Sequence, residues 1–259
     1  MPGIINVTYV DLFICALLML IPIAVSRLLR LALHTDLLTG TARVFVQLIL
    51  VGHILHWVFN LNSPLPVLAV VAVMTAVAGY SAAKRADLPG LRVILLATGV
   101  IGLSSLALSA FVFYLIIGIT PYYNPAYVVP IMGMALNGAM NSLSVGARAL
   151  DRGIRDGRER IEAALSVGAT SWQASGDIVR NALKQAMVPT INGLMTAGIV
   201  QLPGMMTGQI IAGVDPVLAV RYQVVIFYLL TSVTALATIA GTLLLVRRYF
   251  TPAHQLKMG

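Results

Sequence analysis

RALDRGIRDGRERIEAALSVGATSWQASGDIVRNALKQAMVP, residues 148–189, is the one long polar stretch in an otherwise apolar sequence. It holds Arg148, Arg152, Arg155, Arg158, Arg160, Arg180 and Lys184, together with Asp151, Asp156, Glu159, Glu162 and Asp177. Ile161, Ala164, Leu165 and Gly168 recur at i, i+3, i+4 and i+7, which is one small-residue face of a helix. Gly168 then breaks that helix. Thr170-Ser171-Trp172-Gln173 has the Thr-x-x-Gln spacing of a capping box, which starts another. The pattern predicts two amphipathic helices, about 148–188, meeting at an exposed elbow outside the bilayer, where another protein can grasp it.

Outward from this stretch the composition changes class. Apolar residues make up 59% of the 259 and charged residues only 10%, and the mean hydropathy is +0.91. Soluble domains carry roughly 25% charged residues. Long uncharged runs of about 20 residues mark membrane-spanning helices. The net charge of +8 raises nucleic acid as a partner, but its distribution is the positive-inside bias of a membrane protein. Cys15, the single cysteine, lies in an apolar run, so there is neither a disulfide framework nor a cysteine metal site.

Seven spans account for the chain: 6–30, 39–59, 65–83, 91–118, 126–147, 189–212 and 222–246. The first lacks the charged start and cleavage pattern of a signal peptide and is read as retained. With the N-terminus outside and the C-terminus inside, all 17 Lys/Arg except Arg221 fall on one side. The fold class is therefore all-α: a polytopic membrane protein of about seven transmembrane helices and a cytoplasmic coupling hairpin. Residues 1–259 form a single membrane domain.

Three features within the spans carry chemistry. In the fifth, Asn137, Asn141 and Ser144 share one helical stripe, flanked by Met134 and Met140. Hydrocarbon cannot satisfy such a stripe, so it either lines a path or joins helices by hydrogen bonds. In the sixth, Gln201-Leu-Pro-Gly-Met-Met-Thr-Gly208 places Pro203, Gly204 and Gly208 where a helix should continue. Pro203 removes a backbone donor and kinks or breaks the helix, and Gly204 tolerates the resulting conformation. That break either borders a pathway, facing Asn137 and Asn141, or is a packing kink. Met205 and Met206 offer soft thioethers. In the second, His53 and His56 either contribute to a metal site or are satisfied at the interface; no third ligand is evident, and no metal site is assigned. Asp215 either pairs with Arg221 or caps the seventh helix.

Glu162-Ala163-Ala164, then Gly168 and Ile178, resembles the EAA loop of ABC-transporter permeases, a coupling helix that docks in a groove of a separate ATPase subunit. One departure stands out: the family pattern ends in Leu-Pro soon after the Ile, whereas Arg180-Asn181 stand here and the proline comes at 189. A narrower resemblance covers nearly the whole chain. Leu202-Pro-Gly-Met-Met-Thr-Gly208, Ala212-Gly-Val-Asp-Pro216 and Tyr222-Gln223 are similar to the signature of the bacterial iron-export permease family, which has relatives in plant aluminium tolerance. Arg43 with Gln47-Leu48 and Val51-Gly52, Pro130-Ile-Met-Gly-Met134, and Leu165-Ser-Val-Gly-Ala-Thr170 agree with it.

The resemblance implies a permease subunit of an ATP-driven exporter of iron or a related metal species, in the cell's inner membrane. It implies a permease homodimer and a separate ABC ATPase that holds ATP and Mg; this chain would bind no cofactor and no nucleic acid. Glu162, Ala163, Ala164, Gly168, Ala169 and Thr170 would be the coupling residues. Asn137, Asn141, Gln201, Pro203, Gly204, Met205 and Met206 would border the pathway. A non-metal cargo such as a nucleotide sugar is the alternative. The chain has no Gly-x-x-x-x-Gly-Lys-Ser/Thr phosphate loop, so hydrolysis falls to a partner and the chain is not itself an enzyme. An autonomous carrier ranks second, because Asp and Glu are absent from the centre of every span. A membrane enzyme ranks third.

Overall fold

A backbone in hydrocarbon must satisfy its own hydrogen bonds, and a helix does so within one segment. The computed structural model describes residues 8–61, 63–88 and 90–257, and there the architecture is all-α, with isolated bridges in place of strands. Six helical stretches are long and apolar enough to cross a membrane: Val10–Leu28, His34–Leu61, Pro64–Arg85, Leu91–Ile117, Pro125–Asp156 and Pro216–Tyr249. The chain divides into two compact units, Met1–Asn62 with Ile211–Gly213, and Ser63–Ile210 with Val214–Gly259.

The first unit holds α1 (Tyr9–Leu17), α2 (Leu20–Leu28) and α3 (His34–Leu61). Thr8 caps α1 in a reciprocal box with Asp11, its N–H donating to Asp11 Oδ2 at 2.8 Å. Asp11 thus belongs to the first turn of the helix. The expected single first span is interrupted at Leu18–Met19, where each N–H reaches three residues back, to Cys15 and Ala16, and tightens the turn. Buried Ser26 closes the link to α3: its hydroxyl accepts from Leu33 N–H at 3.1 Å and its carbonyl from Leu31 N–H at 2.9 Å.

The second unit carries the core. It contains α4 (Pro64–Arg85), α5 (Leu91–Phe111, continued by a π-helical turn Val112–Ile117), α6 (Pro125–Asp156), α7 (Arg158–Ser166), α8 (Ser171–Thr196), α9 (Gly204–Ile211) and α10 (Pro216–Val246, ending in a 3₁₀ turn Arg247–Tyr249). Small residues let these helices meet at backbone distance, because lipid supplies no hydrophobic drive between helices. α4 and α5 are antiparallel: a methyl on Gly79 would stand 2.5 Å from the Thr98 Cα, and one on Gly102 would stand 2.8 Å from Thr75. α6 and α10 are parallel. The Tyr127 and Tyr222 rings lie 6.2 Å apart at one end, and Tyr249 donates to Asp151 at 2.6 Å at the other.

Two parallel neighbours require a return pass between them, and α8 is that pass. Ser142 Oγ donates to the Ala186 carbonyl at 2.7 Å, while Gly153 faces Ile178, so α8 runs antiparallel to α6. Its first half is too polar to read as a span. The second unit therefore runs end to end five times, through α4, α5, α6, α8 and α10, of which all but α8 are long and apolar enough to cross a membrane.

Three expected boundaries are corrected by this arrangement. The hairpin of 148–188 is not separate from the spans beside it: α6 runs from Pro125 to Asp156 without a break, and α8 runs through Pro189 to Thr196. At 1.5 Å per residue α6 is about 48 Å long against a hydrocarbon core of about 30 Å, so it must emerge from the bilayer. The sixth span does not start at Pro189, since helices in membranes absorb an interior proline. The last helix starts at Pro216, earlier than expected, because Asp215 caps it through Leu218 N–H at 3.0 Å.

Gly79→Val should lower the melting temperature of the detergent-purified protein sharply, since overpacking costs about 1–3 kcal/mol or more. Gly99→Ala, with open space at its Cβ position, should melt at or above the wild-type temperature.

Candidate functional site

The elbow is α7 and the turn that follows it. Ile161 is fully buried and joins Ile154 and Ile178 in one apolar cluster, which pins α7 against α8. Ala164 and Leu165 are half-buried beside it, as the expected face requires, whereas Gly168 is exposed at the turn. Glu162, Ala163, Ser166 and Val167 face outward, Val167 at 84% exposure. Arg158 Nε donates to Glu162 Oε1 at 2.8 Å, an i,i+4 pair that stiffens the outer face.

Gly168 ends the helix in the left-handed region, φ +89°. Gly168 N–H donates to the Leu165 carbonyl at 3.0 Å and Ala169 N–H to the Ala164 carbonyl at 3.1 Å, which satisfies the last orphan carbonyls of α7. The expected capping box is present. Thr170 N–H donates to Gln173 Oε1 at 2.9 Å, and Gln173 N–H to Thr170 Oγ1 at 3.3 Å. All six expected coupling residues thus fall in one short segment, with Glu162, Ala163, Gly168 and Thr170 exposed and Ala164 and Ala169 half-buried.

The C-terminal tail also reaches this elbow, and sequence reading gave no sign of it. Ser171 N–H donates to His254 Nδ1 at 3.2 Å, and the Ser171 hydroxyl lies 2.6 Å from the same nitrogen. The tail folds on itself, with Thr251 N–H donating to the Gln255 carbonyl at 2.8 Å and Lys257 N–H to that of Tyr249 at 2.7 Å. A groove of about 500 Å³ runs between Glu162, Leu165 and Gly168 on one side and His254–Leu256 on the other.

Asn137 and Asn141 are brought together. Asn141 Nδ2 donates to Asn137 Oδ1 at 3.2 Å, Arg85 Nη1 donates to Asn141 Oδ1 at 2.7 Å, and Ser144 Oγ donates to the Asn141 carbonyl at 2.7 Å. The stripe thus ties α4 to α6. Asn141 and Ser144 also line a cleft of about 750 Å³ with Arg85, Arg148, Arg152 and Asn181. Gln201, Pro203, Gly204, Met205 and Met206 do not line it. Ala186 pairs with Ser142, and α8 continues about 15 Å beyond Ala186 before that segment begins.

That segment resolves as a break. Thr196 is the last residue of α8, and Thr196 O accepts from Val200 N–H at 3.0 Å. Pro203 precedes α9 rather than kinking it, and its carbonyl accepts from Thr207 N–H at 3.0 Å. The left-handed residue of the loop is Gly198, φ +81°, so Gly204 is not the position that relieves the strain. Met206 is buried and Met205 half-buried against the core.

His53 Nδ1 lies 2.8 Å from the Ile49 carbonyl, and His56 Nδ1 lies 3.5 Å from Asn60 Nδ2, each within its own helix. Among the described residues no group of three His, Cys, Asp or Glu is placed to hold a metal ion.

Comparison with known proteins finds relatives along nearly the whole chain. The family described as "Uncharacterised protein family (UPF0014)" matches residues 9–250. The "Probable iron export permease protein FetB" of Escherichia coli K12 is 32% identical over 257 residues, 97% of this chain and 95% of its own length. "UPF0014 membrane protein STAR2" of Oryza sativa subsp. japonica is 32% identical, with 90% and 81% covered. "Protein ALUMINUM SENSITIVE 3" of Arabidopsis thaliana is 30% identical, with 92% and 86% covered. No solved structure matches the chain.

A β-branched residue at positive φ costs of order 1–3 kcal/mol, so Gly168→Val should raise protease cleavage at the elbow and lower its melting temperature. Gly204→Val, with nothing within 4 Å of its Cβ position, should behave as wild type in both assays.

Proposed function

The chain belongs to the UPF0014 family, and on that premise we propose that it is the membrane-spanning subunit of an ATP-driven exporter. Two copies pair with each other and with two copies of a separate ATPase, which holds ATP and Mg and docks on the Glu162–Thr170 elbow. The observation that carries this reading is the elbow itself. It is a short helix with its apolar side anchored at Ile161 and its outer face exposed, joined to two helices that enter the bilayer. ATPase closure would move the elbow, and α6 and α8 would carry that displacement to the helices bordering the path.

The cargo we propose is iron or a related metal species, following the name of the Escherichia coli relative. Asn137 and Asn141 border the path toward the elbow end, and Gln201, Pro203, Gly204, Met205 and Met206 border it farther along. The elbow and the C-terminus face the cytoplasm, the N-terminus faces outward, and the membrane is the inner one. Clustering of basic residues at one end of the second unit supports this orientation: Arg85 and Arg148 are in contact there, and Tyr249 precedes the tail beside Asp151.

The test is iron efflux from proteoliposomes holding the permease and its ATPase. Efflux should require ATP. Glu162→Lys, which reverses charge on the outer face and breaks the pair with Arg158, should reduce both ATPase capture and efflux about tenfold, while the protein inserts and melts as wild type. Undiminished efflux in this variant, or efflux without ATP, would defeat the reading.

A further inference from the structure

The cleft between α4, α6 and α8 has an electrostatic character that coupling does not use. Arg85, Arg148 and Arg152 line it, and Asp156 is the carboxylate in its wall. Arg148 lies 3.6 Å from Asp87 and also donates to the Arg85 backbone carbonyl. Arg85 spends one donor on Asn141. Among the described residues neither Arg152 nor Asp156 has an ion pair. Asn181 and Gln185 on α8 add amide donors to the opposite wall, over an apolar floor of Ile178 and Ala182.

With Asp87 beside Arg148 and Asp156 in the wall, the three guanidinium groups still leave a net positive charge at the concavity that favours an incoming anion. Guanidinium forks and amide N–H groups are donors matched to the oxygens of a phosphate. Basic pockets between membrane helices at the cytoplasmic side are suited to phosphorylated headgroups. The volume, about 750 Å³, is that of a small-ligand site. A basic surface set only by topology would need neither the concavity nor the amide residues that share its lining with the arginines.

We propose that this cleft binds a phosphate group, carried either by an acidic phospholipid or by a soluble phosphate compound, with Arg152 as its principal unshared cation. The site requires neither an ATPase nor a cargo, although it shares Asn141 with the proposed path. Its occupant ties α4 to α6 and α8 at the end of the helices nearest the elbow.

The experiment uses the full chain in phosphatidylcholine nanodiscs. Inorganic pyrophosphate is titrated calorimetrically as the soluble probe. In a second arm phosphatidylglycerol is added to the discs and the melting temperature followed. Arg152→Gln removes an exposed side chain without an internal partner, so the fold is kept; Arg27→Gln, outside the cleft, makes the same charge change. Pyrophosphate binding that weakens about tenfold in Arg152→Gln and is unchanged in Arg27→Gln supports a soluble ligand. Stabilisation by phosphatidylglycerol with the same variant pattern supports a lipid headgroup. Binding of neither probe, or equal effects of the two substitutions, overturns the site.

Discussion

Close contact of α6 with α8 and α10 is the constraint on which the second unit depends. Methyl groups on Gly138, Gly153 and Gly241 would stand 2.7, 2.6 and 2.5 Å from Thr234 Oγ1, Ile178 Cγ2 and Leu143 Cδ1. In lipid, helices gain little by hiding apolar surface from each other, so close packing and hydrogen bonds such as Ser142 to Ala186 carry the association. These contacts fix α6 parallel to α10 and antiparallel to α8. The five-helix course of the unit follows from those directions.

The same contacts govern what the elbow can transmit. Because α6 and α8 leave the bilayer as unbroken helices, the elbow is an extension of the membrane helices rather than a tethered loop. Ile161 holds α7 into the apolar cluster, and His254 ties the tail to Ser171. A force applied to the outer face at Glu162–Val167 therefore acts on helices whose neighbours are packed at backbone distance. Packed elements of this kind shift between discrete arrangements rather than deforming continuously.

Most of the fold was legible because lipid imposes a uniform demand: a spanning helix must be long and apolar, and six of the seven expected spans meet that demand directly. The elbow was legible because its signals are local, namely Gly168 and the Thr170–Gln173 box. α8 was not, because one helix serves two solvents. Its polar half reads as an amphipathic helix outside the bilayer and its apolar half as a separate span, and Pro189 falls between them. The tail–elbow contact and the arginine cleft join residues 83 and 63 positions apart, and no local pattern reports such pairings. At Gln201–Met206 an irregularity was legible, but not whether it kinks or breaks the helix, since the left-handed residue is Gly198, outside the proline motif.

The proposed contact between elbow and ATPase can be tested directly by placing a photoactivatable amino acid at Val167, which is 84% exposed at the tip of the elbow, and at Tyr122, 71% exposed in the loop preceding α6. After illumination of membranes containing both subunits, a covalent adduct with the ATPase should form from Val167 and not from Tyr122. An adduct from Tyr122 with none from Val167 would contradict coupling through the elbow.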